Sequence, residues 1–175
     1  MNRTTALLIS ILAGTSLWAA EAPRGPQLGR PADPKAMAAW DIGVMPDGTG
    51  LPAGGGNARQ GKAIYEKQCL SCHGRNGLGD SGDQLAGAQM GLTSDYPEKT
   101  IGNYWPYATT LFDFNRRAMP MTAPGSLTDD EVYAVTAYLL FLNGIIKETD
   151  EMNAKTLPKV VMPNRDGFID LYPEK

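Results

Sequence analysis

The most informative stretch of this sequence is Cys69-Leu70-Ser71-Cys72-His73. Two thiols separated by two residues, with a histidine directly after the second, form the pattern to which haem c is attached. Each sulfur bonds to one vinyl group, and the histidine lies beneath the iron. The pattern therefore predicts one covalent haem c, bound through Cys69 and Cys72, with His73 as an iron ligand.

Other uses of the two cysteines can be weighed by counting. Cys69 and Cys72 are the only cysteines and His73 is the only histidine among 175 residues, so a zinc site would lack two of its usual four ligands. A disulfide between the two cysteines would close a very small loop and stabilise little. A thioredoxin-like dithiol would need a βαβ surround. A redox dithiol or a structural disulfide is the alternative to haem.

Composition and charge narrow the class of protein. A chain of 175 residues suits one small domain with extensions. Lysine and arginine number 16 against 19 acidic residues, and the formal net charge is -3. The chain therefore lacks the basic field that holds a phosphate backbone, and nucleic acid is not expected as a partner. Its 20 glycines and 13 prolines predict that much of the chain is irregular.

The N-terminus has the composition of a secretory signal peptide. Arg3 is followed by the uncharged, apolar run 4–18, which is too short to span a bilayer. We predict a signal peptide over residues 1–20, a mature start near Glu21 and a periplasmic location, with no transmembrane segment in the mature chain. An uncleaved anchor is the alternative, and it would need a longer apolar stretch.

The rest of the chain divides into three parts by composition. Residues 21–56 contain six prolines and eight glycines, which predicts a Pro/Gly-rich N-terminal arm that is extended. Residues 57–146 have apolar residues at helical spacing and form the predicted monohaem domain, whose core needs the haem to complete it. Residues 147–175 mix polar turns with scattered apolar residues and predict an irregular C-terminal strap that packs along the domain.

Capping residues and helical spacing predict three helices in the domain. The first begins after the N-cap Asn57 and leads into the cysteine pair. The second starts with Pro106 and ends near Arg116-Arg117. The third follows the capping box Thr128-Asp129-Asp130-Glu131 and ends at Gly144. Because no two segments alternate as paired strands do, the predicted fold class is all-α.

The cysteine motif and its surroundings resemble a small class I cytochrome c over about residues 57–146. The resemblance rests on three stretches: Cys69-Leu70-Ser71-Cys72-His73-Gly74, Gly61-Lys62-Ala63-Ile64-Tyr65 and Ala118-Met119-Pro120. It implies a small class I fold with long irregular N- and C-terminal extensions. In that fold the first and last helices cross, with Gly61 and Tyr65 against Tyr133 or Tyr138. It also implies an electron-transfer protein rather than an enzyme.

A narrower resemblance covers nearly the whole mature chain. It is to the cytochrome c subunit of Sox-type sulfur dehydrogenases and to cytochromes associated with sulfite dehydrogenases. The segments that carry it are Trp40-Asp41-Ile42, Pro46-Asp47-Gly48-Thr49-Gly50-Leu51-Pro52, Ile101-Gly102-Asn103-Tyr104-Trp105-Pro106-Tyr107-Ala108-Thr109-Thr110, Ala118-Met119-Pro120 and Met162-Pro163-Asn164-Arg165-Asp166-Gly167. It implies a carrier of single electrons from a sulfite or thiosulfate dehydrogenase toward the respiratory chain. Its redox partners would be that dehydrogenase and a downstream oxidase or cytochrome. The Sox subunit commonly carries two haems, whereas this chain has one attachment motif.

The second iron ligand must come from a residue other than histidine or cysteine, and a methionine thioether is the obvious donor. Met119 is the best candidate, because it lies in an irregular segment just before Pro120 and occupies the Met-Pro position of the resembled family. Met121 is its nearest rival, since two residues along an extended stretch return to the same face. An open sixth site is the remaining interpretation.

Further roles follow from the shape and charge of a haem. The free ring N–H of His73 should donate to a carbonyl of loop 74–87, in which Gly82-Asp83-Gln84-Leu85 replaces the proline that relatives commonly have. The propionates need polar partners, and the candidates are Trp105, Tyr104, Asn103 and Arg116 or Arg117. For the aromatic candidates, packing around the haem is the alternative. The expected apolar wall consists of Leu85, Leu92, Leu111 and Leu139.

Electron exchange is expected at the haem edge near the cysteines, and no acid-base apparatus is required. The residues expected around that edge form a small, nearly uncharged docking patch: Leu70, Met121, Ala123 and Pro124. Two alternatives to a free carrier stay open. The chain is an electron-transfer subunit held tightly by a sulfur dehydrogenase, or it is a haem enzyme or sensor whose sixth ligand is displaceable.

Overall fold

The computed structural model describes residues 25, 28–169 and 171–172, and the predicted signal peptide over residues 1–20 lies outside the described residues. The chain divides into two compact units, residues 1–40 and 41–175. In the first unit, helix α1 (Pro34–Ala38) begins after Asp33, whose carboxylate accepts a hydrogen bond from the Lys35 N–H at 3.0 Å. The sequence prediction of an extended arm was wrong here, because Asp33 and Pro34 form an N-cap followed by a first-turn proline.

The second unit is mostly helical, which confirms the all-α fold class. Its helices are α2 (Ala58–Gln68), α3 (Leu70–His73), α4 (Ile101–Tyr104), α5 (Ala108–Ala118) and α6 (Asp129–Leu142). Short 3-10 turns span Arg75–Gly77 and Leu157–Lys159. Within the described part of the chain, no helix has the length and apolar character needed to cross a membrane.

Two of the three predicted helices begin where their caps indicate. The Asn57 side chain accepts a hydrogen bond from the Gln60 N–H, and the Gln60 side chain accepts one from the Asn57 N–H. Thr128 and Glu131 form the same reciprocal box before α6. The predicted start of the middle helix was wrong: Pro106 precedes α5, because Tyr107 has an extended backbone, with φ -137° and ψ 133°.

The core forms where α2 packs against α6. A Cβ atom added to Gly61 would lie 1.9 Å from the Ala134 carbonyl oxygen, so only glycine allows this approach. The Tyr65 ring packs on the Tyr138 ring with 5.3 Å between centroids, which identifies Tyr138 as the partner. Tyr133, the other candidate, packs on Phe112 instead, at 4.4 Å.

The segments that flank these helices meet in one small sheet. Strand β1 (Gly55–Gly56) pairs antiparallel with β2 (Met152–Asn153). Two residues are too few to show the alternation that predicts a strand, so sequence patterning missed the pair. Farther along the C-terminal strap, Leu157 and Met162 are buried. Other apolar residues of the predicted strap are exposed: Val161, Phe168, Ile169 and Leu171.

Candidate haem-attachment site

One helical turn brings the three motif side chains together. Cys69 ends α2 and begins α3, its N–H bonding to the Tyr65 carbonyl at 2.8 Å, and the His73 N–H bonds to the Cys69 carbonyl at 2.9 Å. Residues three and four apart lie on the same face of a helix, so Cys72 and His73 share a face with Cys69. Cys69 is half-buried and Cys72 is exposed.

The loop after the motif folds back against this turn through backbone hydrogen bonds. The Gly79 N–H bonds to the His73 carbonyl at 2.9 Å, and the Gly82 N–H bonds to the Cys72 carbonyl at 2.7 Å. The Tyr65 hydroxyl donates to the Gly74 carbonyl at 2.7 Å. Gly74 has φ +70°, and a Cβ atom there would lie 2.5 Å from the Gly79 carbonyl oxygen. These bonds fix the backbone of the turn that carries Cys72 and His73.

The His73 ring is held in one tautomer. Its Nδ1 lies 2.7 Å from the Asp83 carbonyl oxygen. A carbonyl can only accept, so the proton is on Nδ1, and Nε2 keeps a lone pair with which to bind a metal. The acceptor lies in the loop 74–87 that the sequence indicates. The sequence could not show that Asp83 is the acceptor, because every residue of the loop carries a backbone carbonyl.

The Cys69 thiol lacks the lowered pKa that a redox dithiol needs. Burial, and after it the charge of Cys72, raises the pKa of the Cys69 thiol from 9.0 to about 11. Catalytic dithiols have a thiol whose pKa is lowered, so that the thiolate can attack. The two cysteines are not joined in a disulfide. The donor set and the histidine tautomer therefore fit a covalently attached haem.

The two candidate methionines differ in exposure. Met119 follows the last residue of α5, and its N–H bonds to the Asn115 carbonyl at 3.2 Å. Its side chain is partly buried, whereas Met121 is 75% exposed. The peptide bond between Met119 and Pro120 is cis. Of the two thioethers, that of Met119 is the better shielded from water.

Two predicted propionate partners, Asn103 in α4 and Trp105 directly after it, have different surroundings. Trp105 is half-buried with its ring edge-on to Phe114 at 5.7 Å, and its indole N–H has no hydrogen-bond partner among the described residues. The Asn103 amide completes the cap of α4: it accepts from the Thr100 N–H at 2.8 Å and donates to the Glu98 carbonyl at 2.7 Å. The Trp105 N–H is thus reached by solvent and free to donate to a carboxylate.

Tyr104 and the arginine candidates have protein partners. The Tyr104 ring contacts Phe168 at 5.5 Å. Arg116 donates from Nε to Asp129 at 3.2 Å and from Nη1 to the Ile42 carbonyl at 3.4 Å. Arg117 forms an ion pair with Asp113. Sequence reasoning missed both acidic partners. Asp113 and Arg117 are four residues apart on α5, which is a local signal, whereas Asp129 reaches Arg116 only through the packing of α6 beside α5.

The expected apolar wall and docking patch also have defined positions. Leu111 and Leu139 are buried, Leu85 packs against the core, and Leu92 is partly exposed. Residues 121–126 are exposed and carry no charged side chain, while Leu70 is partly buried. The structure therefore offers an uncharged surface loop directly after Met119.

Comparison with known proteins relates this chain to one family and two sulfur-compound dehydrogenases. Residues 58–143 match the family model for cytochrome c. A chain in the crystal structure of the sulfane dehydrogenase SoxCD from Paracoccus pantotrophus is 42% identical, with a TM-score of 0.78, over 84% of this chain and 73% of that chain. Thiosulfate dehydrogenase from Stutzerimonas stutzeri (strain A1501) is 32% identical over 90 residues, which are 50% of this chain and 28% of that protein.

The chain therefore spans less than a third of the length of the thiosulfate dehydrogenase that it matches. Its match to the SoxCD chain is broader and includes fold as well as sequence. The prediction of covalent haem c is confirmed by these comparisons. The shared sequence and fold show that this chain belongs to the cytochrome c family, whose members bind haem c covalently and carry electrons.

Proposed function

We propose that this cytochrome c is a periplasmic carrier of single electrons between a dehydrogenase that oxidises sulfite or thiosulfate and the respiratory chain. The observation that carries the electron-transfer role is the 2.7 Å contact between His73 Nδ1 and the Asp83 carbonyl, which leaves Nε2 available to a metal. The sulfur context is supported by the activities of the two relatives, a sulfane dehydrogenase and a thiosulfate dehydrogenase. The periplasmic location is supported by the predicted signal peptide, residues 1–20.

In this proposal, each residue of the site binds a different part of the haem. Cys69 and Cys72 provide the two thioether bonds, and His73 binds the iron through Nε2 while Asp83 fixes its ring. Met119 provides the sixth ligand, because its thioether is partly buried and lies at the end of a helix. The Trp105 N–H binds a propionate. When bound, haem c supplies an iron that alternates between the ferrous and ferric states.

The chain's own residues then set the conditions for transfer. A neutral thioether from Met119 favours the reduced ion and raises the potential. With His73 and Met119 both holding the iron, a substrate would have no place to bind there, and no acid or base would have to act. The uncharged loop 121–126 provides a small contact surface, which suits a brief encounter with a dehydrogenase, and later with an oxidase or a second cytochrome.

A second candidate function is that of a tightly bound subunit of a sulfur dehydrogenase. It is supported by the likeness to the SoxCD structure, which covers 84% of this chain. The exposure of Ile169 and Leu171, at 85% and 78%, also supports it. A free carrier elutes as a monomer after mild extraction from its native cells. A bound subunit elutes together with dehydrogenase activity.

The test of the proposed ligands is an absorbance spectrum of the periplasmically matured protein, oxidised and reduced. We expect a covalent haem spectrum with a weak far-red band from the thioether-iron bond. Met119→Ala removes that band, and Met121→Ala leaves it. Persistence of the band in Met119→Ala would assign the ligand to another residue. Rapid carbon monoxide binding by the reduced wild type would indicate a displaceable ligand, as in a haem enzyme or sensor.

A further inference from the structure

Helix α5 carries a row of three polar side chains on one face. Thr109, Asp113 and Arg116 are spaced four and three residues apart, which places them one above another along the helix. Thr109 is 1% exposed, Asp113 is 8% exposed, and the Arg116 side chain is 21% exposed. Buried polar groups need partners. The three side chains must therefore bond to groups that pack against this face of α5.

The partners are backbone groups of the segment 42–46. Arg116 Nη1 donates to the Ile42 carbonyl at 3.4 Å, the Val44 N–H donates to Asp113 Oδ1 at 3.0 Å, and Thr109 Oγ1 donates to the Pro46 carbonyl at 3.2 Å. The bonded backbone groups belong to alternate residues, as expected for an extended chain. The order of the three bonds shows that segment 42–46 runs antiparallel to α5.

Arg116 also joins the two ends of the loop 119–128. Its Nε lies 3.2 Å from Oδ1 of Asp129, the first residue of α6. The pair thus connects the last turn of α5 to the first turn of α6. Both charges are favourable there, because a cation suits a helix C-terminus and an anion suits an N-terminus. The loop that begins with Met119 is closed at its base by this ion pair.

Beyond Pro120, which is buried, the loop provides little to hold Met119 in position. Residues 121–126 are all exposed, so they have few packing contacts that would fix them. The position of Met119 then depends on the α5 end, where its N–H bonds to Asn115. The contacts of Asp113 and Arg116 hold that end against segment 42–46, and Asp129 holds it against α6.

We propose that Asp113, Arg116 and Asp129 are positioning residues that hold Met119 in place for iron ligation. The inference rests on the proposed function, in which Met119 is the sixth ligand. It gives Arg116 a task different from that of a propionate partner, because two of its nitrogen atoms are bound to Asp129 and Ile42. Arg117, on the neighbouring face, pairs with Asp113 and completes the network.

Imidazole provides the test, because it binds the ferric iron only after the sixth ligand has left. The holoprotein is titrated with imidazole, and the far-red band reports the displacement. Arg116→Gln and Asp129→Asn are each expected to bind imidazole about threefold more tightly than the wild type, as for a partly exposed ion pair. The double variant should resemble either single variant, because both remove the same pair. Asp129→Glu keeps the carboxylate, so its imidazole affinity should be close to that of the wild type.

The matched control is Arg59→Gln, which removes another arginine ion pair, that between Arg59 and Glu148 at 3.1 Å. It should leave imidazole binding unchanged. Wild-type imidazole affinity in both Arg116→Gln and Asp129→Asn would overturn the positioning role. So would an effect of Arg116→Gln with none of Asp129→Asn, since a propionate contact would behave in that way. A wild type without the far-red band would overturn the ligation by Met119 together with the positioning role.

Discussion

Gly61 is a residue whose size sets the distance between two helices. A methyl group at this position would lie 1.9 Å from the Ala134 carbonyl oxygen and 2.8 Å from Tyr138 Cβ, so α2 and α6 would have to separate. We expect Gly61→Ala to lower the free energy of unfolding of the holoprotein by about 3 kcal/mol. Urea titration of the variant and the wild type measures this difference in the free energy of unfolding. Gly91→Ala is the control, because nothing lies within 4 Å of its added Cβ; equal effects of both variants would contradict the argument.

Tyr65 connects this helix crossing to the haem-attachment turn. Its hydroxyl donates to the Gly74 carbonyl at 2.7 Å, directly after His73. Tyr65→Phe leaves that carbonyl without its partner, so we expect a loss of about 1–2 kcal/mol in the free energy of unfolding. Tyr96→Phe removes the hydroxyl of a side chain that is 81% exposed and should have no effect. A Tyr65→Phe protein as stable as the wild type would show that solvent replaces the bond.

The shifted pKa of the Tyr65 hydroxyl makes the stability of the protein depend on pH. Burial raises the pKa of Tyr65 from 10.0 to about 12, and it does the same for Tyr133. The folded protein therefore favours the neutral phenols. Their contribution is complete below pH 10 and is lost as the pH rises toward 12. Urea titrations across this range should show falling stability, with a shallower fall in the Tyr65→Phe/Tyr133→Phe double variant. An equal fall in both proteins would assign the pH dependence to other groups.

At the scale of the element, the start of α6 depends on one reciprocal cap. The Glu131 N–H donates to Thr128 Oγ1 at 3.3 Å, and the Thr128 N–H donates to the Glu131 carboxylate at 2.8 Å. We expect Thr128→Ala to reduce the free energy of unfolding by about 1 kcal/mol. Thr122→Ala, in the exposed loop before α6, should change it little. Denaturant titration followed by helical circular dichroism compares the two, and equal stabilities would contradict a role for the cap.

These caps also explain which elements could be predicted from the sequence. Asn57 and Thr128 carry a local signal, because the cap and its partner lie three residues apart. The start of α5 had no such signal, since Tyr107 is a cap without a side-chain bond. The pairing of β1 with β2 was missed because two residues show no period.

The site, like the fold, has parts that could be predicted from the sequence and parts that could not. The motif from Cys69 to His73 is local, so its chemistry could be predicted from spacing alone. The acceptor for His73 was predicted only as a loop, because a backbone carbonyl has no sequence signature. The partners of Arg116 are farther away: Ile42 is 74 residues distant in sequence. Only the packed chain brings such groups together.

At the scale of the whole molecule, the question is which charges a redox partner meets. The chain has a formal net charge of -3, but the exposed loop 121–126 has no charged side chain. Charges farther away than about 10 Å are screened at about 0.1 M salt. If electrons leave near this loop, the rate of oxidation by the anion ferricyanide should change little with ionic strength. Stopped-flow absorbance of the reduced protein measures that rate.

A charge placed within the loop makes this expectation sharper. Ala123→Glu should slow oxidation by ferricyanide about fivefold at low salt, because the added carboxylate repels the approaching anion. The deficit should disappear at high salt, where the repulsion is screened. Ala154→Glu adds the same charge at an exposed position on the turn after β2 and should leave the rate unchanged. Equal slowing by both variants would mean that net charge controls the encounter and that loop 121–126 is not where electrons leave.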